Sequence, residues 1–337
     1  MSLFTGNKSY KWLVTGVSGF IGSHLLEELL NKDQLVIGID NFESGQESNL
    51  DDVYNNVGDE RWKNFKFFNK DITNFNDILP IFQNIDFVCH QAALGSVPRS
   101  FKHPSRTNEV NISGFLNILE CCRQNNIRNL VYASSSSTYG DSEILPKSEN
   151  LIGNPLSPYA ITKYVKELYA SVYSKHYGVS ATGLRYFNVF GPRQNPNGSY
   201  AAVIPKWMQA LIDDNEIIIN GDGSTSRDFC YIANVVQANL LSVERNFLTN
   251  EAEIYNIAFG EANTLTTLLE LLIGEFEKHK PYRGEIKYGD FRKGDIHHSL
   301  ADIKNAKKFL NYSPEYDLRK GIKEFVPWFI NNSQKYD

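Results

Sequence analysis

Tyr159 and Lys163 stand four residues apart in PYAITKYVKELY (158–169), and their side-chain types can do chemistry together. Residues at i and i+4 share one helix face, and Pro158 suits a first helical position because its fixed φ costs nothing there. A phenol titrates near ~10, too high for a base at neutral pH. A neighbouring ammonium favours the phenolate, so Lys163 is expected to bring that pKa down. Upstream, YASSSSTYG (132–140) offers four consecutive hydroxyls, Ser134 to Ser137. A serine near Tyr159 could hydrogen-bond a substrate hydroxyl and share its proton. Taken alone, the pair also describes an ordinary helix with a packed tyrosine and a solvated lysine. The surrounding elements must supply the rest.

Those elements alternate. Apolar runs at 11–16, 35–40, 65–69, 85–90, 129–135 and 180–189 read as strands, and the stretch 20–30 reads as a helix with Ile21, Leu25 and Leu29 on one stripe. Such alternation implies an α/β fold with a doubly wound, parallel, Rossmann-type sheet, its near-continuous apolar strands buried on both faces. Ligands of such sheets bind at the carboxyl ends of the strands, where the serine run falls. After residue 190 the pattern loosens. Segments 191–200 and 220–228 are rich in Gly, Pro, Asn and Ser and read as loops, while 254–260 looks like a late strand. The reading is a dinucleotide-binding Rossmann domain over 1–190 with a return at about 231–262. A smaller C-terminal substrate domain then takes 191–230 and 263–337.

The first strand leads into TGVSGFIG (15–22), with Gly16, Gly19 and Gly22 in a G-x-x-G-x-x-G pattern that opens a helix. Glycines there permit a tight turn and let backbone N–H groups approach a pyrophosphate at the helix N-terminus. Asp40 ends the second strand, where a carboxylate accepts hydrogen bonds from ribose hydroxyls and repels a 2′-phosphate. Neither Asn41 nor Phe42 is basic, so NAD is favoured over NADP. Asp71 and Ile72 follow the third strand and could border the adenine. HQAALGS (90–96) follows the fourth, with small Ala92 and Ala93 that would let a flat cofactor approach. The cofactor residues expected are Gly16, Gly19, Phe20, Ile21, Gly22, Asp40, Asn41, Asp71, Ile72, Gln91 and Ala92, with Tyr159 and Lys163 at the reacting end. A bound nicotinamide cation would further favour the Tyr159 phenolate.

Composition narrows the class. The 337 residues are 42% hydrophobic and 22% charged, with a formal net charge of −5. That describes an ordinary soluble protein and gives no electrostatic case for a nucleic-acid partner. No apolar run approaches the ~20 residues of a membrane span, and the first residues lack a signal-peptide stretch. Cys89, Cys121, Cys122 and Cys230 show no C-x-x-C spacing, so they read as reduced thiols of a cytoplasmic enzyme, and no metal site is expected.

The same motifs carry a resemblance. The glycine motif, Asp40, HQAALGSVPRS (90–100), SSSSTYGD (134–141), SPYAITKY (157–164), GLRYFNVFGPRQ (183–194), YAAVIPKW (200–207), NGDGSTSRDFCYI (220–232) and GDIHHSLADI (294–303) span nearly the whole chain. The sequence resembles the extended short-chain dehydrogenases/reductases. Within them it is similar to the UDP-hexose 4-epimerases, above all the UDP-N-acetylglucosamine 4-epimerases of bacterial surface-polysaccharide pathways. The resemblance implies Tyr159 as catalytic base and acid, Lys163 as its tuner and Ser135 as third catalytic member, with Ser136 the substitute because four serines blur the register. It implies a nucleotide-sugar anchor of Asn188, Ala202, Val203, Trp207, Arg227 and Arg292, the two guanidiniums suiting a diphosphate. Ser96 and Arg99 would flank the sugar. Helices at about 105–124 and 157–177 resemble the pair that builds a four-helix homodimer interface.

The reaction follows from what is missing. Related dehydratases carry an Asp-Glu pair just after the hydroxyl residue, where this chain has Ser136 and Ser137, and the glutamate usual in decarboxylases is missing too. With no second acid/base pair, the simplest outcome of C4 oxidation is return of hydride to the opposite face, an epimerisation that consumes no net cofactor. A late position that is bulky in hexose-restricted relatives matches Ser299, which leaves room for an N-acetyl group. The expected reaction therefore joins UDP-GlcNAc and UDP-GalNAc, with tolerance of their uronic acids or of UDP-Glc/UDP-Gal left open. His297 stands where close relatives often carry arginine, which puts a 6-carboxylate contact there in doubt. A UDP-glucuronic-type 4-epimerase, a dehydratase or decarboxylase on the same fold, and a non-catalytic NAD-binding regulator are the competing readings.

Overall fold

The structure is a computed structural model that describes residues 8–197, 201–246, 253–291 and 297–333. Its strands are β1 (Lys11–Thr15), β2 (Leu35–Asp40), β3 (Phe65–Asn69), β4 (Phe87–His90), β5 (Asn129–Ser135), β6 (Ser180–Tyr186), β7 (Val189–Phe190), β8 (Ile217–Asn220), β9 (Ser226–Asp228), β10 (Cys230–Tyr231), β11 (Glu253–Ile257), β12 (Ala262–Thr264) and β13 (Ile286–Gly289). Seven of them form one sheet in the order β11-β6-β5-β4-β1-β2-β3, every neighbouring pair parallel. The chain order reverses between β1 and β4, which opens a crevice at their carboxyl ends, the ligand position of such sheets.

Both sheet faces are buried, as the apolar strands demand. Alternate residues of β1 enter different cores: Leu13 joins Ile37, Val88 and Leu130, while Trp12 and Val14 join Val36, Cys89 and Val131. The period-2 alternation of a strand produces this division. The helix Phe20–Asn31 starts directly at the glycine turn, with Gly19 as its uncapped N-cap, and buries Leu25, Leu26, Leu29 and Leu30. The helix Pro158–Tyr177 is better specified: Ser157 caps it by accepting from the Ala160 N–H, Pro158 occupies the first turn, and Gly178 ends it at φ 71°. From Pro104 to Gln124 the chain is helical throughout, with one π-helical turn at Glu109–Ser113.

Beyond β6 lie three small two-stranded sheets, β7 with β10, β9 with β12 and β8 with β13, with the helices Val203–Ile212, Leu265–Phe276 and Leu318–Asn332. The segment 220–228, read as a loop, ends in β9. Its three polar residues carry no apolar signal, and the strand exists through backbone pairing with β12. The run 180–189 likewise divides into β6 and β7. The late strand β11 lies beside β6, Tyr255 opposite Leu184, so the chain returns to the main sheet after β10. Buried Asp228 joins this late part together: its carboxylate accepts from the N–H groups of Phe259, Gly260 and Ala301 at 3.1–3.2 Å.

Candidate active site

The crevice is a cleft of about 720 Å³ along the carboxyl ends of the strands. At its floor the chain turns through Gly16 at φ 69°, where a Cβ would sit 2.7 Å from the Ala92 nitrogen. A Cβ on Gly22 would collide with the Gly16 carbonyl. Only glycine closes this turn, and the closure aims the first N–H groups of the Phe20–Asn31 helix into the cleft. Asp40 accepts from Ser18 N–H at 3.0 Å and Phe42 N–H at 2.8 Å. Two bonds leave an ionised carboxylate further acceptor capacity, so it can also take ribose hydroxyls. Asp71 accepts from Thr73 and from the Asn41 amide. Gly16, Gly19, Phe20, Ile21, Gly22, Asp40, Asn41, Asp71, Ile72, Gln91, Ala92, Tyr159 and Lys163 all line this one cleft. A long trough with a glycine turn at its centre and carboxylates at one end fits a dinucleotide.

At the other end the Pro158–Tyr177 helix presents Tyr159 and Lys163. The Lys163 ammonium lies 5.5 Å from the Tyr159 ring centroid and donates to the Ala133 carbonyl at 3.0 Å. Burial lowers its pKa to about 8, with the Glu167 carboxylate opposing. Tyr159 departs from the expectation of a lowered phenol. Burial raises its pKa above the ordinary value, and a hydrogen bond with Ser135 pulls the other way without prevailing. The cause is burial: desolvation of the phenol outweighs the Ser135 hydrogen bond.

The four serines are distinguished by their partners. Ser134 donates to Glu167 at 2.6 Å. Ser135 accepts from the Ser137 N–H at 3.2 Å and from the Ser137 hydroxyl at 3.0 Å, which leaves its own proton for the hydrogen bond with Tyr159. Ser136 opens a 3-10 turn through Tyr139 and is not on the cleft lining, whereas Ser134 and Ser135 are.

The expected substrate residues divide as well. Ser96, Arg99 and Ala202 line the cleft, and Ser96 caps the helix Val97–Lys102 from a left-handed φ of 86°, a strained backbone of the kind that gathers at functional sites. Asn188 donates to the Asp228 carbonyl at 3.0 Å. Arg227 donates to the Ser226 and His297 carbonyls at 3.0 and 3.1 Å, and Ser299 N–H pairs with Ser226 O at 3.1 Å. These three sit together beyond the cleft lining. Val203 packs against the core. Trp207 turns inward and is buried, because the amphipathic Val203–Ile212 helix puts it on the same stripe as Ile204 and Leu211. Arg292 lies outside the described residues.

Three groups beneath the site escaped the sequence reading. Lys166, fully buried, directs its amine at the Ala133 carbonyl from 3.4 Å. Glu167 forms a buried two-point ion pair with Arg185, with bonds of 2.9 and 2.7 Å. His90 joins Thr15 at 2.8 Å, its Nε2 without a hydrogen-bond partner among the described residues. Lys166 and Glu167 follow Lys163 at i+3 and i+4, the one signal that could have found them.

Comparison with known proteins fits this geometry. Residues 12–258 match the model of the NAD dependent epimerase/dehydratase family. A UDP-glucuronate 4-epimerase of Thermodesulfobacterium geofontis is 36% identical, covering 95% of this chain and 96% of that one. Among solved structures, the UDP-N-acetylglucosamine 4-epimerase from Methanobrevibacter ruminantium in complex with UDP-N-acetylmuramic acid superposes with a TM-score of 0.87 at 38% identity, covering 96% of this chain and 99% of that one. The Thermus thermophilus UDP-glucose 4-epimerase complex with NAD gives 0.81 at 32% identity, covering 95% and 98%. The chain belongs to the NAD dependent epimerase/dehydratase family, and NAD is its cofactor.

Proposed function

We propose that this family member is a UDP-sugar 4-epimerase that interconverts UDP-N-acetylglucosamine and UDP-N-acetylgalactosamine, in the cytoplasm, for surface polysaccharide synthesis. The observation that carries the reading is the meeting of Tyr159, Lys163 and Ser135 at one end of a dinucleotide cleft, with serines at 136 and 137 where elimination would need an acid/base pair. NAD supplies an acceptor and then a donor for the C4 hydride. Tyr159 takes the C4 hydroxyl proton and later returns it. Ser135, hydrogen-bonded to Tyr159, holds that oxygen with its hydroxyl. Lys163 keeps one positive charge behind the phenol and lowers the cost of charging it. The 4-keto sugar turns its other face while Arg227 and Arg292 retain the diphosphate, Asn188 and Ala202 support the nucleotide, and Ser96 and Arg99 flank the hexose.

Substrate size rests on Ser299. Its backbone N–H bonds the carbonyl of Ser226, the neighbour of Arg227 in the chain, and its small side chain suits a pocket that takes an N-acetyl group. The relatives divide between UDP-glucose, UDP-glucuronate and UDP-N-acetylglucosamine, so incubation of the purified protein with each of the three sugars decides. Formation of UDP-GalNAc at the highest kcat/KM supports the proposal. A preference for UDP-glucuronate, or release of water or CO2, overturns it.

The active form we propose is a homodimer. Ile161, Leu168, Tyr169 and Val172 form one exposed apolar stripe along the Pro158–Tyr177 helix, larger in sum than solitary surface apolar residues. Pairing this helix and the 104–124 helical run with a second copy would bury it as a four-helix interface. Light scattering at the monomer mass would refute the pairing.

A further inference from the structure

Arg106 lies on no strand end and in no motif, yet it ties three parts of the cleft together. Its guanidinium forms a two-point bond with Glu43, donates to Asp71 at 2.9 Å and donates to Glu109 at 2.9 Å. Glu43 belongs to the loop after β2, Asp71 to the loop after β3, and Glu109 to the helical run that carries Arg106. Glu43, Asp71 and Asn41 all line the cleft at the end marked by Asp40.

The loop 41–46 needs such a tie. Phe42 sits at φ 59°, a left-handed backbone that an aromatic residue adopts only under constraint. On its inner side the loop is held by Phe42 N–H to Asp40 at 2.8 Å and Gln46 N–H to the Ser18 carbonyl at 3.0 Å. On its outer side the Glu43 carboxylate is held by Arg106 alone among the described residues. Around this one cation stand three carboxylates. Take it away and Glu43, Asp71 and Glu109 face one another with like charge. The guanidinium's affinity for its proton is raised by these partners, Glu43 first, so alkaline pH does not release it.

We propose that Arg106 is a latch that retains the resident NAD: the cofactor leaves when Glu43 and Asp71 part from the guanidinium and the 41–46 loop swings outward. Arg106 touches no reacting atom and acts by positioning Glu43, Asp71 and, through Asp71, Asn41. The ion pairs are a third exposed on the arginine side, so salt screens them.

The test follows NAD release from the loaded full-length protein after transfer to NAD-free buffer, read as cofactor in the filtrate over time. Arg106→Gln is expected to release NAD roughly ten-fold faster, and Glu43→Gln to accelerate release by a smaller factor. Release from the wild type should quicken with salt, and release from Arg106→Gln should lose most of that dependence. Arg61→Gln serves as control, since Arg61 pairs with Asp33 on the outer surface and should release at the wild-type rate. Wild-type release from Arg106→Gln, equal acceleration in the Arg61 control, or salt-independent release from the wild type each overturns the latch. If Arg106→Gln fails to fold, the Glu43 variant and the wild-type salt dependence decide.

Discussion

Lys163 and Lys166 direct their nitrogens at a single acceptor, the carbonyl oxygen of Ala133, from 3.0 and 3.4 Å. Two ammonium groups cannot share one carbonyl in a buried site without strong repulsion. Burial first, and then Lys163, push the Lys166 pKa well below its ordinary value. The Lys166 nitrogen lies over the rings of Phe115 and Tyr132, 4.7 and 5.8 Å from their centroids, so its charged form costs more in the fold than in water. The other charged and titratable groups of this layer are His90, whose pKa is also lowered, and the Glu167–Arg185 pair.

A buried lysine whose charged form is disfavoured weakens the fold at neutral pH. Its unfolded value is 10.5 and its folded value lies below that, so the unfolded chain binds more protons and stability rises with pH up to about the unfolded value. Lys166→Met removes the penalty while Lys163 still satisfies the Ala133 carbonyl. Its Tm at pH 7 should exceed that of the wild type by on the order of a few °C. The advantage should shrink as pH climbs toward 10.5. A pH-independent difference, or a lower Tm throughout, would show that burial of the Lys166 amine does not lower its pKa.

Single substitutions in the serine run should separate the register. Ser135 accepts twice from Ser137 and is hydrogen-bonded to Tyr159; Ser134 gives its proton to Glu167. Ser135→Ala is expected to cost on the order of 10²-fold in kcat, and Ser136→Ala far less. The reverse order would move the third catalytic role by one residue. Tyr159→Phe should abolish turnover with NAD still bound, read as retained cofactor after gel filtration.

The sheet was legible because its strands are apolar on both faces: Leu13 and Val14 each have a core to enter, and the resulting runs stand out without periodicity. The glycine turn was legible because backbone crowding at Gly16 admits no other residue. The C-terminal lobe was less so. A three-residue polar strand such as β9 is held by its partner's backbone, and no residue pattern announces it. Trp207 shows the same limit, since its helix face is decided by what packs against Ile204 and Leu211. Arg106 was invisible for another reason. Its partners at 43 and 71 come from distant loops, and such pairing has no period in the chain.

The pH dependence of the NAD-loaded enzyme should expose Lys163. Its pKa lies at about 8 because burial outweighs Glu167, and a bound cation nearby can only lower it further. In the proposed mechanism, below that value the ammonium supports the phenolate that forms as Tyr159 takes the substrate proton. Above it the support is lost, while Tyr159 itself, raised by burial, gains no free phenolate in exchange. We expect kcat/KM to fall as pH rises through about 8. A plateau extending to the ordinary lysine value of 10.5 would show that Lys163 keeps its proton and acts by hydrogen bonding alone.

Ser299 offers the sharpest test of substrate choice. Its backbone is tied by the bond to Ser226, and the adjacent His298 ring joins the Ser226 hydroxyl at 2.9 Å, so two bonds oppose a shift that would relieve a larger side chain at 299. Ser299→Tyr should fill the space assigned to the N-acetyl group. Overpacking of a fixed pocket costs roughly 1–3 kcal/mol, so kcat/KM for UDP-N-acetylglucosamine should fall roughly ten-fold or more. UDP-glucose, which lacks the acetyl group, should lose much less. Equal losses on both sugars would mean that the substitution disturbs the proposed diphosphate anchor at Arg227, and the pocket would have to be sought elsewhere.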